Sequence, residues 1–208
     1  MYLLDIQLMK KHSFLLLMSL TMLAVPTLAQ RLDALGQNTD ASRFGYGKRQ
    51  QTFLTVNGAM SNVMQPSFGF SAGQVKNLGW FVSVMTNGDF SGFSPDGDCD
   101  ADGFTSGYLM MYSGEVSKTR LSVICGAMMR VTGNLCARVG VGYGNRTLLW
   151  ETIDGTWMRN TAYSVSGIDL SAGLQFNLGK LALSAEVVTT QFQTIEGKVG
   201  VGFAINTK

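Results

Sequence analysis

The densest set of metal-type ligands in the chain is a short acidic run, SPDGDCDADGF, residues 94–104. Asp98, Asp100 and Asp102 alternate and Gly103 follows, which copies the opening of a D-x-D-x-D-G calcium loop. Carboxylate oxygens suit a hard cation such as calcium. The bidentate glutamate due at the twelfth position is missing, and Leu109 stands there. A calcium loop and an acidic surface loop are the two readings, and the incomplete ligand set favours the second. Cys99 inside the run is either a free thiol or an intermolecular link.

A second set of charges lies inside apolar stretches. In TRLSVICGAMMRVTGNLCARVGVGYG, residues 119–144, Arg120, Arg130 and Arg138 fall in step with Ser, Gly and Cys and out of step with Leu, Val and Met. Asp169, Glu186, Glu196 and Lys198 keep the same phase further on. Carboxylates and cations so placed could pair with one another; they are not a nucleophile with its base. The single histidine, His12, lies in the N-terminal segment. Without it the rest of the chain has no Ser-His, Cys-His or His-metal chemistry to offer. A carboxylate-pair mechanism through Asp169, Glu186 and Glu196 is formally open, but packing explains those residues more simply. No enzyme is expected.

The elements that must carry these residues alternate with period two. Leu121, Val123, Cys125, Ala127, Met129 and Val131 share one face, and Arg120, Ser122, Ile124, Gly126, Met128 and Arg130 the other. The turn Thr132-Gly133-Asn134 leads to Leu135, Ala137, Val139, Val141 and Tyr143, opposed by Cys136, Arg138, Gly140, Gly142 and Gly144. A three-residue loop pairs Val131 with Leu135, so both apolar faces coincide. Cys125 and Cys136 then face opposite ways and are expected to be unpaired. Residues 162–176, 181–190 and 195–206 repeat the pattern, and 52–60, 68–75 and 79–87 show it more weakly. Eight strands result, with no helix of core-building length. Connections at 76–78, 132–134 and 177–180 are short. Those at 88–118 and 145–161 are long, and 107–116 reads as a strand extension rather than a ninth strand.

Alternation alone leaves two barrels open. A soluble lipocalin-like barrel that binds an apolar ligand turns its apolar face inward; a membrane barrel turns it toward lipid. The charges favour the second. Their face is rich in glycine (140, 142, 167, 173, 200, 202), which fits a narrow interior better than a solvated exterior. On that reading Arg120, Arg130, Arg138, Asp169, Glu186, Glu196 and Lys198 form a charge network in a filled polar lumen. Asp169 and Glu186 are near-diagonal across one hairpin, as are Glu186 and Lys198 across the next. On the lipid side a midplane arginine would cost about 2–4 kcal/mol. Trp80, Phe176 and Phe203 at one level, with Phe68 and Tyr143 at the other, match two interfacial aromatic girdles. Only 14% of residues are charged, too few for an ordinary soluble surface.

The N-terminal segment fits export. Lys10 and Lys11 precede an apolar run from Phe14 to Val25, and Thr27-Leu28-Ala29 precede a cut at Gln30. The run is too short to span a bilayer and reads as a secretory signal over 1–29, with Met9 as an alternative initiator. Residues 30–50 form a polar lead-in and 51–208 the barrel. The near-balance of charge leaves no nucleic-acid footprint.

Taken together, residues 51–206 resemble the small eight-stranded outer-membrane β-barrels, the class of the OmpA transmembrane domain and OmpX. The resemblance rests on architecture and on the last strand, KVGVGFAIN. It implies an all-β, antiparallel up-and-down transmembrane barrel with short periplasmic turns and two longer outer loops. It also implies outer-membrane lipid and the barrel-assembly machinery as partners. That machinery reads a terminal aromatic residue in the family; here Phe203 is followed by Ala-Ile-Asn-Thr-Lys, a departure from the pattern. The implied role is structural or surface-interactive, carried by 88–118 and 145–161, with the surface partner unidentified.

Overall fold

The computed structural model describes residues 50–62, 65–105 and 107–207; the expected signal (1–29) and all of the lead-in except Gln50 lie outside them. In chain order the strands are β1 (Gln50–Ser61), β2 (Pro66–Val75), β3 (Leu78–Thr86), β4 (Gly97–Cys99), β5 (Phe104–Thr105), β6 (Tyr108–Leu109), β7 (Tyr112–Arg130), β8 (Leu135–Thr152), β9 (Trp157–Asn160), β10 (Val165–Leu178), β11 (Leu181–Thr190) and β12 (Thr194–Thr207). Eight of them close a ring in the order β10, β11, β12, β1, β2, β3, β7, β8 and back to β10. Every neighbouring pair in the ring is antiparallel. The first strand pairs with the last, Gln50 opposite Thr207, so no edge is left open.

The side-chain period sets the two faces. Along β12, Ile195, Val199, Val201, Phe203 and Ile205 are exposed, while Glu196, Lys198 and Ala204 are buried. The same alternation holds on β1, with Leu54, Val56 and Met60 outside and Phe53, Thr55 and Asn57 inside. Aliphatic and aromatic groups therefore cover the exterior, and ionised groups turn to the axis. Phe68, Tyr143, Phe176 and Phe203 are all exposed.

The long connections are largely sheet rather than loop. Strands β7 and β8 run for 19 and 18 residues, against 9 for β3. Their pairing with the ring ends at Thr86 opposite Leu121 and at Val165 opposite Arg146. Beyond that rim they continue together to Tyr112 opposite Thr152. Strand β9 adds to the upper part of β8, and β4 joins β9 in parallel. The expected loop over 145–161 is thus mostly β8 and β9. Of 107–116, only the part from Tyr112 onward is a strand extension; Tyr108–Leu109 forms a separate two-stranded pair with Phe104–Thr105. The β7–β8 extension with β9 and β4 forms a ledge beyond the rim, held by Tyr112, whose ring meets Trp150 edge-on at 5.3 Å and whose hydroxyl donates to the Gly103 carbonyl at 2.8 Å.

Between the tip of β3 and the ledge, residues 87–94 fold back against β7 and β8 above the rim. A 3-10 turn, Ser91–Phe93, buries Gly92, whose amide donates to Thr119 Oγ1 at 2.8 Å. A β-carbon at Gly92 would stand 2.6 Å from that oxygen and 2.7 Å from Thr147 Cβ, so only glycine fits this approach. Asp89 ties the segment down. Its carboxylate accepts from Ser117 and from both the amide (2.9 Å) and hydroxyl (2.6 Å) of Ser91. Burial pushes its pKa up, but the hydrogen bonds from Ser117 and Ser91 outweigh burial and hold it below the ordinary value of 3.8. A depressed carboxylate favours the folded segment above its ordinary pKa and loses that contribution as pH falls through the lowered one. Amide protection at 88–94, relative to intrinsic exchange rates, is accordingly expected to fall as pH drops below about 4, with the step absent in Asp89→Asn.

Candidate functional site

The lumen is stacked in layers, and the strand register decides which charges meet. The outermost layer joins Arg120 on β7, Arg146 on β8, Asp169 on β10 and Glu196 on β12. Arg120 Nη2 lies 2.8 Å from Glu196 Oε2 and 3.2 Å from Asp169 Oδ2. Its Nε donates to Glu196 at 3.2 Å and its Nη1 to the Leu121 carbonyl at 3.0 Å, so each guanidinium nitrogen has a partner. Arg146 Nη2 approaches the same Glu196 oxygen at 2.5 Å. Ser67 donates to the other Glu196 oxygen at 2.5 Å; Thr190 (2.5 Å) and Ser122 donate to Asp169. Ionised groups buried this deeply persist only when paired, and each of the four has an ion-pair partner.

Room for the layer comes from glycine. A β-carbon on Gly144 would fall 2.2 Å from Asp169 Oδ1. Gly144→Val is expected to displace that carboxylate and lower stability by about 1–3 kcal/mol, measured as a shift in the urea midpoint of the folded form.

The next layer pairs Lys198 with Glu186. They are direct cross-strand partners, not diagonal ones, and Nζ sits 2.7 Å from Oε2. Lys198 also reaches Ser83 Oγ at 3.1 Å. Asp169 does not join them: it lies opposite Thr190, and Glu186 lies opposite Gly173. Its cation is Arg120 instead.

Toward the tight-turn end the interior becomes apolar. Phe53, Val75, Phe81, Ile124 and Met128 are buried there with Cys136. Arg138 crosses this zone with its guanidinium 4.1 Å from the Phe81 ring centre and 5.6 Å from that of Phe53. It reaches Gln175 Oε1 at 3.3 Å and Glu186 at 3.6 Å. Facing a π-cloud offsets part of the cost of its burial. The lumen is therefore not uniformly polar: an aromatic and aliphatic plug closes one half. Arg130 forms no ion pair among the described residues and donates to Gln51 Oε1 at 2.9 Å.

The acidic run lies on the ledge. Asp98 on β4 takes a two-pronged bond from Arg159 on β9, 2.8 and 2.9 Å. Asp100 accepts from the amides of Asp102 (3.0 Å) and Phe104 (2.8 Å), closing a turn. Among the described residues no three His, Cys, Asp or Glu side chains are grouped to hold a metal ion. A calcium ion at Asp98 would compete with the Arg159 fork. Cys99 is a buried free thiol, which leaves no surface for a link to another chain; Cys125 and Cys136 are free as well.

The residue that sequence reasoning missed is Arg146, placed within an outer loop. Its signal was present: it extends the even-numbered run of Cys136, Arg138, Gly140, Gly142 and Gly144 by one step.

No protein-family model and no curated relative matches the sequence. Among solved structures the chain is similar to Ail, the attachment invasion locus protein of Yersinia pestis, at 15% identity and a TM-score of 0.46, over 76% of this chain and 97% of that one. It is similar to the N-terminal β-barrel domain of Pseudomonas aeruginosa OprF, at 14% identity and a TM-score of 0.45, over 74% and 97%. A third likeness is to Neisserial surface protein A, at 11% identity and a TM-score of 0.35, over 76% and 96%.

Proposed function

We propose that this chain is an integral outer-membrane barrel that conducts no solute and holds a sheet-built ledge above the membrane as a surface for other molecules. One observation carries the reading: the barrel is inside-out. Val199 (66% exposed), Ile168 (60%) and Phe70 (59%) stand on its exterior, while Arg120 and Asp169 are fully buried. In water so continuous an apolar exterior would drive association. In a bilayer it meets hydrocarbon, and ring closure leaves no strand edge exposed to it. A soluble barrel that carries an apolar ligand needs the reverse orientation. The plug of Phe53, Phe81, Ile124 and Met128 and the paired charges above it close the lumen to bulk flow. The secretory signal over 1–29 and delivery by the barrel-assembly machinery belong to the same proposal, as does a role without catalysis.

Fractionation tests it. The protein should sediment with outer membranes, resist carbonate extraction, and migrate differently on gels before and after boiling. Recovery as a detergent-free periplasmic monomer would refute the membrane assignment.

A further inference from the structure

At the outer mouth the lumen opens into a cavity of about 250 Å³. Its polar lining is Lys118 from β7, Arg146 and Thr147 from β8, Gln65 ahead of β2 and Thr194 from β12; Leu148 and Tyr163 form apolar walls. From this cavity we infer a binding site for a small organic anion, a carboxylate or phosphate borne on a short apolar or aromatic group. It rests on the lumen geometry and holds whether or not the exterior meets lipid.

Three features converge on negative charge. Arg146 is 4% exposed and spends Nη2 on Glu196, yet its Nε and Nη1 have no hydrogen-bond partner. Thr194 is 8% exposed and its hydroxyl is also unpartnered. Unmet buried donors of this kind are costly, more so on a charged group. Lys118 stands at the entrance and forms no ion pair among the described residues. The cavity lining and the lumen ion pairs attached to it carry Arg120, Arg146 and Lys118 against Asp169 and Glu196, which leaves one cation in excess. An anion seated against Lys118 balances that excess. Arg146 lines the cavity, so a ligand seated there meets the demand of its free N–H edge after a small rotation of that side chain. The walls of Leu148 and Tyr163 match an apolar or aromatic body better than a bare inorganic ion.

The test is calorimetric titration of the folded full barrel in detergent micelles with benzoate and phenyl phosphate, using benzamide as the neutral analogue. At least one anion should bind saturably, with benzamide weaker by about tenfold or more, the value of a charge-assisted hydrogen bond. Lys118→Gln, at an exposed position that carries no lumen pair, should weaken anion binding by up to about fivefold. Thr194→Val should weaken it about threefold. Gel mobility before and after boiling checks that each variant is folded. No saturation by either anion overturns the proposal. So does benzamide binding as tightly as the anions, or wild-type affinity in both folded variants.

Discussion

Glu196→Ala is expected to lower the unfolding free energy by about 3–5 kcal/mol, the range for removing one partner of a buried ion pair. The size follows from what is left behind. Arg120 keeps Asp169, but among the described residues Arg146 has no other carboxylate within ion-pair distance, and Ser67 loses its acceptor. Two guanidinium groups then remain with one carboxylate, which pairs with only one of them. Urea titration of the barrel in lipid vesicles, followed by gel mobility, measures the effect. The internal reference is Asp98→Ala, which breaks the bidentate pair with Arg159. Those side chains are 51% and 41% exposed, so solvent replaces the lost contact and the cost should stay below about 1 kcal/mol. Equal effects in the two variants would mean that the lumen charges are solvated and that the outer layer does not organise the barrel.

Val199→Arg is the second large effect. Val199 points outward near the middle of β12, opposite Gly58 and Ala185. If that face meets hydrocarbon, arginine there costs about 2–4 kcal/mol, least if it can snorkel to an interface. If the face met water, the same change would be close to neutral and would help solubility. The expected outcome in vesicles is a lowered unfolding midpoint with the folded gel form retained. Val141→Arg on β8, across the barrel wall, should act alike, because Val141 is also exposed and shares no partner with Val199.

Period-two alternation made the eight-stranded ring and both of its faces legible in the sequence. Each tight turn kept the two apolar faces in phase, and a one-residue slip would have put Arg130 or Glu186 on the exterior. The same logic reached Arg120, Arg138, Asp169, Glu196 and Lys198 as lumen residues. It stopped short at Arg146, because a long segment without a turn signal was read as a loop although the parity continued. Which charge meets which was less legible. Partners across a closed barrel depend on register summed over several strands, so Arg120 on β7 finds Glu196 on β12, 76 residues away. The ledge was not legible at all. Its parallel pairing of Gly97–Cys99 with β9 joins two three- to four-residue strands, too short to show a period. The apolar plug escaped notice because Phe81, Ile124 and Met128 share the charged phase and so look like exceptions rather than a layer.

The membrane assignment depends on the exterior of β12 facing hydrocarbon, and a nitroxide at position 199 reports that directly. The label is placed through Val199→Cys, with the three native cysteines replaced by alanine, in barrels reconstituted into vesicles. Its collision rate with oxygen, which concentrates in the bilayer, should be high, and that with a water-soluble nickel chelate low. A label relaxed mainly by the nickel chelate would put Val199 in water and contradict a membrane barrel.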